Sequence, residues 1–95
     1  MIYLAGPYSH PNPQVMDERA RQLTAVAIRM IADGLVVFSP VTLGHAMFQL
    51  CPNLPTDAAS WDKFNLAFLK NCTHMCVVKL PGWQESLGVQ RELEL

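Results

Sequence analysis

Apolar positions along the chain follow two different rhythms. Ile2-Tyr3-Leu4-Ala5 is a short continuous run of strand-forming residues, closed by Gly6-Pro7. Further on, Met16, Ala20, Leu23, Ala27, Met30 and Ile31 recur at steps of three and four, with Arg19, Arg21, Gln22 and Arg29 off that stripe. This spacing predicts an amphipathic helix. Asn12 is placed to cap it, Pro13 sits at a first helical position where a missing N–H does no harm, and Gly34 stands where a left-handed C-cap is wanted. Leu35-Val36-Val37-Phe38 then predicts a buried strand, ended by Ser39-Pro40.

Strand, helix and strand in this order form a βαβ unit with parallel strands and a right-handed crossover. Ligands on open parallel sheets bind beyond the carboxyl ends of the strands. Segments 6–13 and 39–49 both leave those ends and are expected as loops on one rim. Residues 50–56, with Pro52 and Pro55, read as irregular. A second helix is expected from about Asp57 to Asn71, with Trp61, Phe64, Phe68 and Leu69 on its apolar face, followed by a third strand, Met75–Val78. Pro81-Gly82-Trp83 makes a turn, and the segment from Ser86 to Leu95 is helical in propensity.

Composition narrows the function classes. The 95 residues suit a single α/β domain spanning 1–95, and 51% of them are hydrophobic. A domain this short buries a modest share of its surface, which favours oligomerisation. The net charge is −1 and the basic residues are scattered, which argues against a nucleic acid polymer as partner. No apolar run approaches the roughly 20 residues that cross a bilayer. No basic, signal-like start precedes the first strand, so the expected location is cytoplasmic. Cys51, Cys72 and Cys76 form neither a C-x-x-C pair nor a zinc pattern and read as reduced thiols. There is no phosphate-binding G-x-x-x-x-G-K-[ST] loop and no G-x-G-x-x-G. No metal or other cofactor is expected.

The densest chemistry lies near the end. Ser86-x-Gly88-x-x-x-Glu92 puts a hydroxyl at a helix start and a carboxylate in the second turn. Free N–H groups at a helix N-terminus attract anions, and Gly88 lets a ligand approach the backbone. Glu92 either points along this helix toward such a ligand or is a solvated helix carboxylate. Glu94 and Glu85 read as surface charges.

Several segments together resemble one family. Ile2 to Ser9, then Phe38-Ser39-Pro40 with His45, then Trp61, then Leu80-Pro81-Gly82-Trp83 with Ser86-x-Gly88-x-x-x-Glu92 are similar to the nucleoside 2-deoxyribosyltransferase-like proteins, specifically a small bacterial and phage branch. The resemblance covers nearly the whole chain. It implies a flavodoxin-like or Rossmann-like three-layer sandwich with a parallel sheet, short at its C-terminal end. It also implies cleavage or transfer at the N-glycosidic bond of a nucleoside or nucleoside 5′-monophosphate. In that scheme Glu92 attacks the anomeric carbon, a glycosyl–enzyme intermediate forms, and water or a second base resolves it. The developing oxocarbenium character makes a nearby carboxylate the right group, and the departing base needs a proton.

The resemblance also sets expectations for other residues. A serine six residues before the nucleophile, here Ser86, is the family's phosphate-contacting variant of a position that is aspartate in transferases on free nucleosides; a plain N-cap role is compatible with it. Tyr8 is expected to hold Glu92 in place. Ser9 is expected near phosphate or sugar, and His45 is expected to stack on or hydrogen-bond the ligand. Gly6, Pro7 and Gly88 line the approach. Relatives carry an aspartate four residues after the tryptophan; here it is Asn65, which can bind a base but cannot protonate it. Asp62, one turn earlier, is expected to face the same way. The shorter C-terminus implies a sheet edge covered in a homodimer or larger homo-oligomer. The competing expectation is a non-catalytic nucleotide-binding module.

Overall fold

The computed structural model describes residues 1–55 and 58–94. Its element order is β1 (Ile2–Ala5), α1 (Pro13–Ala32), β2 (Val37–Phe38), α2 (Pro40–Leu50), α3 (Ala58–Leu69), β3 (His74–Val77) and α4 (Leu87–Glu94). The strands form a parallel sheet in the order β2-β1-β3. Ile2 pairs with Val37 on one side and with His74 on the other.

The centre of this sheet explains the rest. β1 is flanked on both sides, so Tyr3, Leu4 and Ala5 are fully buried. The chain leaves β1 toward β2 and later returns across β1 to β3. With the right-handed crossovers usual for parallel strands, α1 covers one face and α3, with α4 beside it, the other, while α2 packs against α1. This is a small α/β sandwich of the flavodoxin-like kind. The point where the winding reverses, between the carboxyl ends of β1 and β3, is a natural crevice.

α1 begins and ends as its caps require. Asn12 accepts a hydrogen bond from the Gln14 amide at 3.0 Å, Pro13 is the first helical residue, and Gly34 takes the left-handed conformation at φ 88°. Met16, Ala20, Leu23 and Ala27 are buried, and Ile31, read as part of the same stripe, is 56% exposed. Opposite Tyr3, α3 contributes aromatic rings. Phe38 stacks on Phe68 with centroids 4.0 Å apart, and Phe64 fills the space toward Trp61.

Three expectations are corrected here. Segment 39–49 is a helix, not a loop: Ser39 flanks it, Pro40 is its first residue, and the Ser39–Thr42–Thr24 hydroxyl chain, at 2.8 and 2.7 Å, fastens it to α1. The strand expected over 35–38 shrinks to Val37–Phe38; Leu35 and Val36 are exposed because β2 is an edge strand. β3 starts one residue earlier than expected and alternates exposed with half-buried positions. The expected helix start at Asp57 and the final Leu95 lie outside the described residues. No described helix is long and apolar enough to cross a membrane.

Candidate functional site

The crevice at the switch point is a cavity of about 300 Å³. β1 ends into it through Gly6, and the following loop supplies Tyr8 and Ser9. α2 presents Pro40, Val41 and Gly44; α3 presents Trp61 and Asn65; the loop before α4 and the helix itself present Glu85, Ser86, Leu87, Gly88 and Glu92. Gly6 is closely packed: a Cβ built there would stand 2.5 Å from Leu23 Cδ2 unless that side chain shifted. α1 thus packs directly under the turn that opens the cavity.

Glu92 is 8% exposed, the buried charged residue of the described core. Val89 and Glu92, three apart on α4, share its inward face. The Glu92 carboxylate accepts a hydrogen bond from the Tyr3 hydroxyl, which reaches it from the middle of β1. Burial pushes the Glu92 carboxyl up to about 7, the Tyr3 bond pulls the other way, and the Asp62 charge adds a smaller upward push. Burial, and then the Glu92 charge, raises the Tyr3 phenol far above its usual range, so it stays protonated and donates. A carboxylate held by one donor at the wall of a partly apolar cavity is poised to bind or trap positive charge.

Tyr8 does not hold Glu92. Its hydroxyl is 2.8 Å from His45 Nδ1, and Tyr3, in the strand rather than the loop, takes the glutamate. The physical reason is reach: Tyr3 points from the centre of the sheet straight at α4, whereas Tyr8 faces α2. His45 stands behind Tyr8 instead of lining the cavity, with Nε2 3.0 Å from Asp17 Oδ1. Asp62 does not face the cavity with Asn65. Arg91 Nε bonds its two oxygens at 2.9 and 2.7 Å and Nη2 joins one of them, so the pair fastens α3 to α4. The Arg91 bond holds the Asp62 carboxyl below its usual range.

The other expected residues divide as follows. Gly6, Ser9, Asn65, Ser86 and Gly88 line the cavity with Glu92; Pro7 is buried behind it. Asn65 Oδ1 is buried and has no hydrogen-bond partner among the described residues. Ser86 Oγ accepts from the Val89 amide at 3.3 Å, which is an N-cap bond. The amides of Leu87 and Gly88, ahead of it in the first turn, have no intrahelical acceptor, and both residues line the cavity. Among the described residues no group of three or more His, Cys, Asp or Glu side chains is placed to hold a metal ion.

The model of a family described as a domain of unknown function, DUF1937, matches residues 1–95. The chain belongs to the DUF1937 family. No curated protein matches it.

Two parts of this DUF1937 site were not anticipated from the sequence. Tyr3 reads as one more strand former, yet a phenol fully buried in a central strand must find a polar partner, and that demand is a usable signal. Arg19 lies off the apolar stripe of α1 and reads as a solvated charge. In the DUF1937 fold it donates to the carbonyls of Ser9 at 3.0 Å and Pro81 at 3.2 Å, with Tyr8 at 3.4 Å. It therefore ties the loop after β1 to the loop after β3 at the cavity rim. No local spacing announces that role.

Proposed function

We propose that the chain cleaves, or transfers across, the N-glycosidic bond of a nucleoside 5′-monophosphate or nucleoside, with Glu92 as nucleophile. The observation that carries this reading is the burial of the Glu92 carboxylate at the cavity wall with the Tyr3 hydroxyl bound to it. In the reaction, one carboxylate oxygen bonds to the anomeric carbon as the bond to the base breaks. Tyr3 keeps the other oxygen oriented. Water, or the nitrogen of a second base, then displaces the glutamate.

The rest of the cavity suits such a ligand. Trp61 offers a flat apolar wall and Asn65 an amide for a base. The free amides at the start of α4, with the Ser86 hydroxyl beside them, suit a 5′-phosphate. The resemblance of the chain to the nucleoside 2-deoxyribosyltransferase-like proteins supports the same reading. A competing one, a non-catalytic nucleotide-binding module, is favoured by Asn65 standing where an acid is expected.

The test is a panel of nucleosides and their monophosphates, with chromatography for free base. Base release that vanishes in Glu92→Ala supports the enzyme. Thermal stabilisation by a nucleotide without release supports the binding module. Release at the parental rate in Glu92→Ala overturns the nucleophile.

We place the protein in the cytoplasm, a reducing compartment that its free thiols Cys51, Cys72 and Cys76 suit. We also take it to self-associate. Ile28, Ile31, Leu35 and Val36 are 63, 56, 44 and 68% exposed beside edge strand β2, an apolar patch that a second copy would cover. A monomer mass by light scattering at micromolar concentration argues against that.

A further inference from the structure

We propose that Asp17, His45 and Tyr8 form a proton relay from solvent to the cavity, and that the Tyr8 hydroxyl protonates the departing base. This rests on the glycosidic reading above and supplies the acid that Asn65 cannot be. The three residues come from three elements: Asp17 from α1, His45 from α2 and Tyr8 from the loop after β1. They touch in sequence through the two nitrogens of His45. Asp17 Oδ1 is 3.0 Å from His45 Nε2, and His45 Nδ1 is 2.8 Å from the Tyr8 hydroxyl. The outer end is open, with the Asp17 side chain 61% exposed, and the inner residue, Tyr8, lines the cavity.

The donors and acceptors determine what the relay does. A carboxylate only accepts, so His45 Nε2 carries a proton toward Asp17. Gln49, on the same helix, donates from its amide nitrogen to the same Asp17 oxygen at 3.4 Å; that nitrogen also lies 3.1 Å from Nε2, and with Nε2 protonated its donation goes to Asp17 alone. Among the described residues, Tyr8, Asp17 and Gln49 are the polar groups bonded to the imidazole. With His45 neutral, Nδ1 is a lone pair, the Tyr8 O–H donates to it, and Tyr8 shows only acceptor capacity to the cavity. With His45 protonated, Nδ1–H donates to the Tyr8 oxygen, and the Tyr8 proton turns to the ligand. A phenol alone is a poor acid, and here burial and the Asp17 charge raise its pKa further. It can give up its proton only as it receives another from His45.

The step balances. A Glu92 oxygen bonds to the anomeric carbon while the carbon–nitrogen bond breaks and its electron pair leaves on the base. The base takes the Tyr8 proton, and the Tyr8 oxygen takes the Nδ1 proton of the imidazolium. One negative charge on Glu92 and one positive charge on His45 disappear together. When water resolves the ester, its proton returns through Tyr8 to His45 and the Glu92 carboxylate is restored. Tyr8 is the catalytic group in this scheme; His45 and Asp17 are positioning residues that act through it.

The experiment compares two leaving groups on the full chain. One substrate is the nucleoside monophosphate cleaved fastest in the panel. The other is the same sugar phosphate carrying p-nitrophenolate, which departs as a stable anion and needs no proton. Tyr8→Phe and His45→Gln are expected to lose about 10²- to 10⁴-fold in kcat on the nucleotide, with a far smaller loss on the nitrophenyl substrate. Asp17→Asn is expected to show the same selectivity more weakly, and Glu92→Ala to lose both substrates. Equal losses on both substrates in Tyr8→Phe and His45→Gln would show a structural role and overturn the relay. So would selectivity that appears in Glu85→Gln instead. Loss of both substrates in Glu92→Ala with no loss in Tyr8→Phe overturns the relay and leaves the glycosidic reading standing. Cleavage of neither substrate by the parent protein overturns both.

Discussion

Replacing Glu92 by glutamine should make the protein more stable at alkaline pH, and the size of the gain follows from the site. Glutamine keeps the shape of the side chain and an oxygen for the Tyr3 hydroxyl. It removes only the ability to ionise. In the folded protein the Glu92 carboxyl is pushed from 4.5 up to about 7. Between those two values the folded state holds a proton that the unfolded state has lost. Stability therefore falls as pH rises through that window, and the loss is complete above about 7. At ~1.4 kcal/mol per pH unit the loss comes to about 3 kcal/mol. For a domain of this size that corresponds to a shift in Tm on the order of 10–20 °C.

The assay is thermal or urea unfolding of parent and Glu92→Gln from pH 4 to 8.5. Other groups titrate in both proteins, so the informative quantity is the difference between the two curves. That difference should be small below about pH 4.5 and grow to about 3 kcal/mol in favour of glutamine by pH 8. A difference that stays constant with pH, or that favours glutamate at pH 8, would show that burial does not oppose the charge, and the account of the site would fail.

Two further predictions concern the same crevice. Because the nucleophile must be ionised, kcat/KM for base release should fall about tenfold per pH unit below about 7; a profile flat down to pH 5 speaks against Glu92. Gly6→Ala should cost about 1–3 kcal/mol in urea unfolding, because its Cβ would meet Leu23 Cδ2 at 2.5 Å in a packed core; a change within ~0.5 kcal/mol would mean that the Leu23 side chain swings clear.

Much of the fold was legible because local signals agreed with one another. β1 and α1 each combine an apolar period with its stop signals, and Asn12, Pro13 and Gly34 do in the structure what their chemistry predicts. α2 was missed for a physical reason. Val41, Leu43, Ala46, Met47, Phe48 and Leu50 give no polar face to contrast with an apolar one, and Gly44 interrupts them. Ser39-Pro40 reads equally well as the end of a strand or the start of a helix. Leu35 and Val36 misled in the other direction, since apolar character does not say whether a strand lies at the centre or the edge of a sheet.

The candidate site was legible as a set of segments, not as a set of contacts. The rule that ligands gather beyond the carboxyl ends of parallel strands selected the rim, and Gly6, Ser86, Gly88 and Glu92 do meet there. The pairings were out of reach. Tyr3 and Glu92 are 89 positions apart, and Asp62 and Arg91 are 29 apart. No helical or strand period connects such distances, so the sequence offered Tyr8 as partner of Glu92 when the geometry favours Tyr3.

Glu92 can be weighed against the simplest alternative use of its position. If the side chain served only to plug the space under Tyr3, a glutamine would accept the same hydrogen bond without an ionisation cost. A domain of this size has a total stability of about 5–10 kcal/mol, so a cost of about 3 kcal/mol at alkaline pH is a large fraction of it. What glutamate adds is a negative charge, and that charge is useful only where positive charge forms beside it. Asn65, which lines the same cavity, carries a second uncompensated group: its buried Oδ1 has no partner among the described residues and makes a parallel demand for a hydrogen-bond donor. A ligand that develops cationic character at one carbon and carries an N–H donor on an attached ring meets both demands at once. A glycosylated base in the act of departing has both properties, whereas a purely apolar ligand answers neither.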